Sequence, residues 1–199
     1  MKKKIAAFDF DGTLINGDSF IKFSLYACGK WRFLSAILRC LPILFLYKIK
    51  LYPNWKAKET LFSKMFKGRQ LDKFNSLAND FFANKGRDIF NQSAVKCVQE
   101  HQGNGCRVII VSASPKNWVV PFAEYLGIDT VLSTEVEIDD NGRLTGKFSN
   151  KNCYGGEKVL RLQKELGERE SYYLYAYGDS RGDKEMLNFA DEGCYRKFQ

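Results

Sequence analysis

Histidine is almost missing from this 199-residue chain, which holds His101 alone. A Ser-His-Asp or Cys-His hydrolase needs a positioned imidazole, so the shortage argues against both. It also argues against a zinc centre, and His101 lies in a polar stretch that reads as surface. Six cysteines are scattered with no CxxC pair. They read as reduced cytosolic thiols, not as a disulfide framework. Long apolar runs are missing too. The best, residues 33–47, is broken by Arg39 and Pro42, whereas a membrane span needs about 20 apolar residues. No secretory leader is expected, because Asp9 and Asp11 interrupt the segment after Lys2-Lys3-Lys4. Internal repeats and low-complexity tracts are likewise absent.

Acidic residues are scarce in one region only. Between Ser19 and Asn79 twelve Lys or Arg face only Glu59 and Asp72, a net charge of +10. The remainder carries 19 basic and 21 acidic residues, a net −2. A nearly neutral body therefore holds a strongly basic insert. Helical patterns fill that insert: one capped by Asp18-Ser19, one along the apolar run, then Trp55 to Phe66 and Leu71 to Phe82. Its apolar residues can form a core of their own beneath solvated lysines. Alternatively they can form an amphipathic face resting on anionic lipid. Nucleic acid is not expected as a partner, since no nucleic-acid-binding motif is present.

The chemistry is concentrated at predicted strand ends. Lys4 to Phe8 reads as a short buried strand and leads directly into Asp9-Phe10-Asp11-Gly12-Thr13-Leu14. Two carboxylates this close call for a positive partner, and hard oxygen donors suit Mg²⁺. A helix over residues 91–103, closed by Gly103, precedes the apolar strand Arg107 to Val111 and Ser112-Ala113-Ser114-Pro115. Ser112 suits either a phosphate oxygen or a helix cap. Asp139-Asp140-Asn141-Gly142 marks a hairpin. Lys158 falls in the first turn of a helix, where a cation is locally unfavoured unless it meets an anion. Tyr172 to Tyr177 forms an aromatic strand before Gly178-Asp179-Ser180-Arg181-Gly182-Asp183, and Asp183 is placed to cap the next helix.

These four segments, in this order, resemble the four motifs of the haloacid dehalogenase-like hydrolases. The insert resembles the helical cap of their phosphoserine phosphatase-like branch, subfamily IB, and in particular the cap of bacterial phosphatidylglycerophosphatases. The resemblance implies an α/β fold: a Rossmann-like three-layer α/β/α core with a mostly parallel sheet, plus an α-helical cap inserted after the first strand. The core would comprise 1–15 and 85–199, and the cap 16–84. It further implies Mg²⁺-dependent hydrolysis of a phosphomonoester through a phosphoaspartate. Asp9 would be the nucleophile, Asp11 the acid and base, and Ser112, the Ala113 N–H and Lys158 the phosphate ligands. Asp9, Asp179 and the Asp11 carbonyl would hold the metal, with Asp183 behind them. Asp18 would either contact substrate or cap a helix. Ser-Ala-Ser-Pro and Gly182 depart from the usual phosphoserine phosphatase pattern. The likeness of the basic, apolar cap to that of phosphatidylglycerophosphatases favours a lipid head-group phosphate over a small soluble phosphate, with a non-catalytic binding module as the third reading. The expected location is cytoplasmic, peripheral to the inner face of the membrane.

Overall fold

The computed structural model describes residues 2–49 and 51–199; Lys50, one of the twelve basic residues, lies outside them. Five parallel strands form the central sheet in the order β3-β2-β1-β6-β7: β1 (Lys3–Phe8), β2 (Arg107–Pro115), β3 (Thr130–Thr134), β6 (Tyr172–Gly178) and β7 (Glu192–Tyr195). Their apolar runs are continuous because both faces of the sheet are covered. Ala6 and Phe8 of β1 join one buried cluster, whereas Ile5 and Ala7 join a second on the opposite face. That alternation is the pleat of the strand expressed as packing. The first cluster includes α6 (Gln92–Gly103) and α7 (Lys116–Tyr125); the second includes α8 (Gly156–Leu166) and α9 (Lys184–Phe189).

Between β1 and α6 lie α1 (Ser19–Cys28), α2 (Lys30–Lys48), α3 (Asn54–Phe66) and α4 (Leu71–Phe81), then a π turn (Phe82–Gly86) and the short α5 (Arg87–Ile89). Phe23, Phe62, Phe66, Phe74 and Phe81 bury fully or nearly so among them. Trp118 of α7 stacks on Phe23, so this aromatic core runs on into the sheet domain. The two-stranded hairpin β4 (Val136–Ile138) and β5 (Leu144–Phe148) braces α3. Gly146 lies so close to Ser63 that an added Cβ would come within 2.5 Å of its hydroxyl.

Four local expectations change. The apolar run is not interrupted at Pro42: α2 passes through it. The proline leaves the Leu38 carbonyl without its helical donor, and Leu38 is exposed enough for water to serve. Gly103 is the last helical residue and Asn104 takes the cap position, with the left-handed turn at Gly105. His101 is half-buried and shares a 2.8 Å hydrogen bond with the Tyr177 hydroxyl, packed beside Tyr175. Its apolar surroundings come from β6, which is remote in sequence. Asp183 does not cap α9 with its side chain. Ser180 instead caps a 3₁₀ turn (Arg181–Asp183), and the Asp183 carboxylate turns back onto the backbone before it.

Candidate functional site

Adjacent parallel strands deliver their C-terminal ends to one edge of the sheet, the usual ligand-binding edge of an open α/β fold. Asp9 leaves β1 with its N–H donating to the Tyr177 carbonyl of β6. Gly12 then turns the chain at φ +75°. Any side chain there would collide with Asp179, since a Cβ would sit 2.3 Å from its Oδ2.

Lys158 stands at the centre. Its Nζ donates to Asp9 Oδ1 at 2.5 Å, to Asp183 Oδ1 at 2.5 Å and to the Val111 carbonyl at 2.8 Å. All three ammonium protons are thereby used, and the residue is 1% exposed. Burial alone would lower its pKa, but Asp9 and Asp183 together hold it above the ordinary lysine value. Asp183 is held below the usual carboxylate range: Lys158 and the Ser180 hydrogen bonds outweigh the effect of burial. Its Oδ2 accepts from the Ser180 hydroxyl at 2.7 Å and from the Ser180 and Asp179 N–H groups.

Asp9 shows the opposite balance. Burial, reinforced by the charges of Asp183 and Asp11, pushes it up to about 8 against the pull of Lys158. Oxygens of Asp9, Asp179 and Asp183 lie within 4.8 Å of one another. When all three are ionised, these carboxylates exceed their one ammonium by two negative charges. Asp179 Oδ1 is buried with no hydrogen-bond partner among the described residues, while its Oδ2 accepts from Gln199 at 3.1 Å. A buried carboxylate oxygen without a donor, within a cluster of hard donors carrying charge −2, fits a small divalent cation.

Asp11 does not join this cluster with its side chain. Its Oδ1 accepts from the Ser19 N–H and its Oδ2 from the Ser114 hydroxyl, both at 2.6 Å. Asp18 caps α1 by accepting from the Ile21 N–H, and it also faces the cavity. Ser112 is fully buried with its Oγ taking the Ser114 N–H, whereas Ala113 lines the cavity. The cavity, about 630 Å³, is floored by Asp9, Asp11, Lys158 and Asp179 and walled by α1, α2 and α3.

Two wall residues carry no signal in the sequence. Lys58 of α3 reaches in, donates to the Ala113 carbonyl at 3.1 Å and lies over the Phe20 ring. Desolvation lowers its pKa, opposed by Asp11, Asp18 and Asp9. It is one of twelve basic residues in the insert, and nothing local distinguishes it. Tyr154 packs its ring on Gly182, where a Cβ would come within 2.3 Å. The glycine that departs from the phosphoserine phosphatase pattern at position 182 thus makes room for an aromatic ring.

Comparison with known proteins bears on the family and the fold. The haloacid dehalogenase-like hydrolase family model matches residues 6–188. Protein CicA of Caulobacter vibrioides is 35% identical over 196 residues, covering 98% of this chain and 86% of that protein. A histidinol-phosphatase of Neisseria meningitidis is 27% identical over 208 residues, covering 96% and 88%. A substrate-bound phosphoserine phosphatase superposes with a TM-score of 0.63 at 21% identity, covering 98% of this chain and 85% of that one. A parallel sheet whose strand ends gather carboxylates around one buried lysine defines a class of phosphate-handling α/β hydrolases. Within that class, the chain belongs to the haloacid dehalogenase-like hydrolase family, on its phosphoserine phosphatase-like branch.

Proposed function

We propose that this chain is a Mg²⁺-dependent phosphomonoesterase working through a phosphoaspartate on Asp9. The observation that carries the reading is Lys158, buried beneath the cavity and bridging Asp9 and Asp183. A lysine so placed cancels part of the repulsion between an anionic nucleophile and an incoming phosphate. Asp9 and Asp179, with the Asp11 carbonyl, would hold Mg²⁺, and Asp183 orients the set. The ion would supply the positive charge that keeps Asp9 ionised at neutral pH and shields the phosphate. Asp9 attacks phosphorus while Asp11 protonates the departing oxygen; Asp11 then takes a proton from the water that hydrolyses the acyl phosphate. Ser112 and the Ala113 N–H would hold the phosphate oxygens, and Lys158, its three protons engaged by Asp9, Asp183 and the Val111 carbonyl, would act on them through its charge unless one of those bonds is exchanged. Residues 16–84 serve as the cap and limit water over the reaction. Asp9→Asn should abolish turnover of p-nitrophenyl phosphate while leaving the circular dichroism spectrum unchanged. Retained turnover would refute the assignment.

For the substrate, a lipid head-group phosphate is favoured over a small soluble phosphate by α2. Trp31, Leu34, Leu38, Leu41, Phe45 and Ile49 recur at helical spacing and are all exposed, Trp31 by 85% and Phe45 by 63%. Lys30, Arg32, Arg39 and Lys48 accompany them with no acidic residue in the helix. Such a face suits the interface of an anionic membrane, each basic residue near the surface contributing about 1 kcal/mol. Leu44 and Tyr47 of the same helix line the catalytic cavity. No helix among the described residues is long and apolar enough to cross a membrane, so attachment would be peripheral, at the cytoplasmic leaflet. Co-sedimentation with phosphatidylglycerol vesicles, weakened by salt, is expected; no binding at low salt would return the choice to a phosphoserine-like soluble substrate. A binding module without chemistry is disfavoured because it has no use for an attacking carboxylate and a proton donor together.

A further inference from the structure

A line of buried hydroxyls runs behind Asp11. The Trp118 indole N–H donates to Ser19 Oγ at 3.0 Å, Ser19 Oγ lies 3.0 Å from Ser114 Oγ, and the Ser114 hydroxyl donates to Asp11 Oδ2 at 2.6 Å. An indole only donates, so Ser19 accepts from it; Ser114 gives its single proton to Asp11, so the proton between the two serines comes from Ser19. Ser19 also reaches the other oxygen, Asp11 Oδ1, through its backbone N–H at 2.6 Å. Ser19, Ser114 and Trp118 are all completely buried. Ser114 is itself fixed by its N–H bond to Ser112 Oγ.

The consequence is geometric. One hydrogen bond on each oxygen fixes the rotation of the Asp11 carboxyl group. A carboxylate accepts about four such bonds, so lone pairs remain toward the cavity that Asp11 lines. Ser19 opens α1, and Trp118 stacks at 4.6 Å on Phe23 of the same helix. The donor's orientation is therefore tied to the seating of the first cap helix.

We propose that Ser114 and Ser19 are positioning residues that aim Asp11 at the leaving-group oxygen. The proposal rests on the phosphomonoesterase reading above. In the first half-reaction the Asp9 oxygen bonds to phosphorus, the P–O ester bond breaks, and its electron pair takes the Asp11 proton. An alkoxide needs that proton to depart, whereas 2,4-dinitrophenolate leaves without it. A positioning fault must therefore show selectively on poor leaving groups.

The test compares kcat/KM for glycerol phosphate and for 2,4-dinitrophenyl phosphate, a quantity that reports only this first half-reaction. Ser114→Ala should lower the glycerol phosphate value by about 10- to 100-fold, within the range general acid catalysis supplies, and the dinitrophenyl value by less than about threefold. Ser19→Ala, which keeps the amide contact, should give the same selective loss in smaller measure. The ratio of the two values is independent of the folded fraction, so a poorly folding variant still gives an answer. An unchanged ratio in Ser114→Ala, whether both values fall together or neither falls, would overturn the proposal while leaving the phosphatase reading intact. A wild-type protein inactive on both substrates would instead overturn that reading, and this one with it.

Discussion

Two regions of the molecule invert the ordinary distribution of residues, and they do so in opposite ways. Beneath the cavity Asp9, Lys158 and Asp183 are charged and buried; along α2, Trp31, Leu38 and Phe45 are apolar and exposed. The first inversion is compensated in large part inside the chain, because Lys158 meets both carboxylates directly, and the negative charge left over is small enough for one cation. The second has no such compensation: of the nineteen residues of α2 only Ala36 and Cys40 are buried. A feature balanced internally belongs to the resting protein, whereas one left unbalanced points to something outside it.

Breaking the internal balance should have the largest effect. Lys158→Met leaves Asp9 and Asp183 facing each other without their cation, a loss of about 3–5 kcal/mol, measurable by urea unfolding alongside loss of turnover. Phe74→Ala, in the aromatic core beneath α1 and α3, should cost a similar 3–5 kcal/mol, roughly, by opening a cavity. Adding Mg²⁺ at a hundred times its dissociation constant should stabilise the wild type by about 2.7 kcal/mol, a gain that Asp179→Asn should remove. Because Asp9 sits near 8 when no cation is bound, a proton competes for the site below that pH. The apparent Mg²⁺ affinity should therefore weaken as pH falls from 8 to 6 in an isothermal titration.

The exposed side of the comparison predicts small effects on folding. Leu38→Gln or Phe45→Gln should change stability by less than about 0.5 kcal/mol while weakening vesicle binding. A large loss of stability would mean that this face of α2, like its Ala36 and Cys40 side, packs on its own chain. Smallest of all is His101, whose pKa burial lowers, with Lys197 adding to the effect. Its contribution is present above the ordinary value of 6.5 and is lost as pH falls below it. The melting temperature should drop slightly toward pH 5, and His101→Gln should flatten that decline.

What could be read from the sequence was what one segment states by itself. An apolar strand ending in Asp9 and Asp11, and a lysine in the wrong end of a helix at Lys158, each carry their own contradiction, and the fold resolves both. From its own segment Asp183 was legible only as far as its type, and its place behind the metal came from the family resemblance. An aspartate before a helix fits a cap, and its actual partner Lys158 lies in a different helix. The hydroxyl line was beyond reach, because serines and a tryptophan up to 99 positions apart are joined only by tertiary packing. Lys58 was hidden for another reason: charge counting describes a region and cannot single out one cation in twelve. Pro42 misled because its local cost is real, but it falls where solvent can answer the freed carbonyl.

Gly12 carries a final consequence. Its missing methyl is the space that Asp179 occupies, so an alanine there would push a carboxylate out of place without deleting any reactive atom. In a saturation screen scored by activity, position 12 should therefore be as intolerant as the aspartates themselves. A survey that looked only for chemically capable side chains would leave it out.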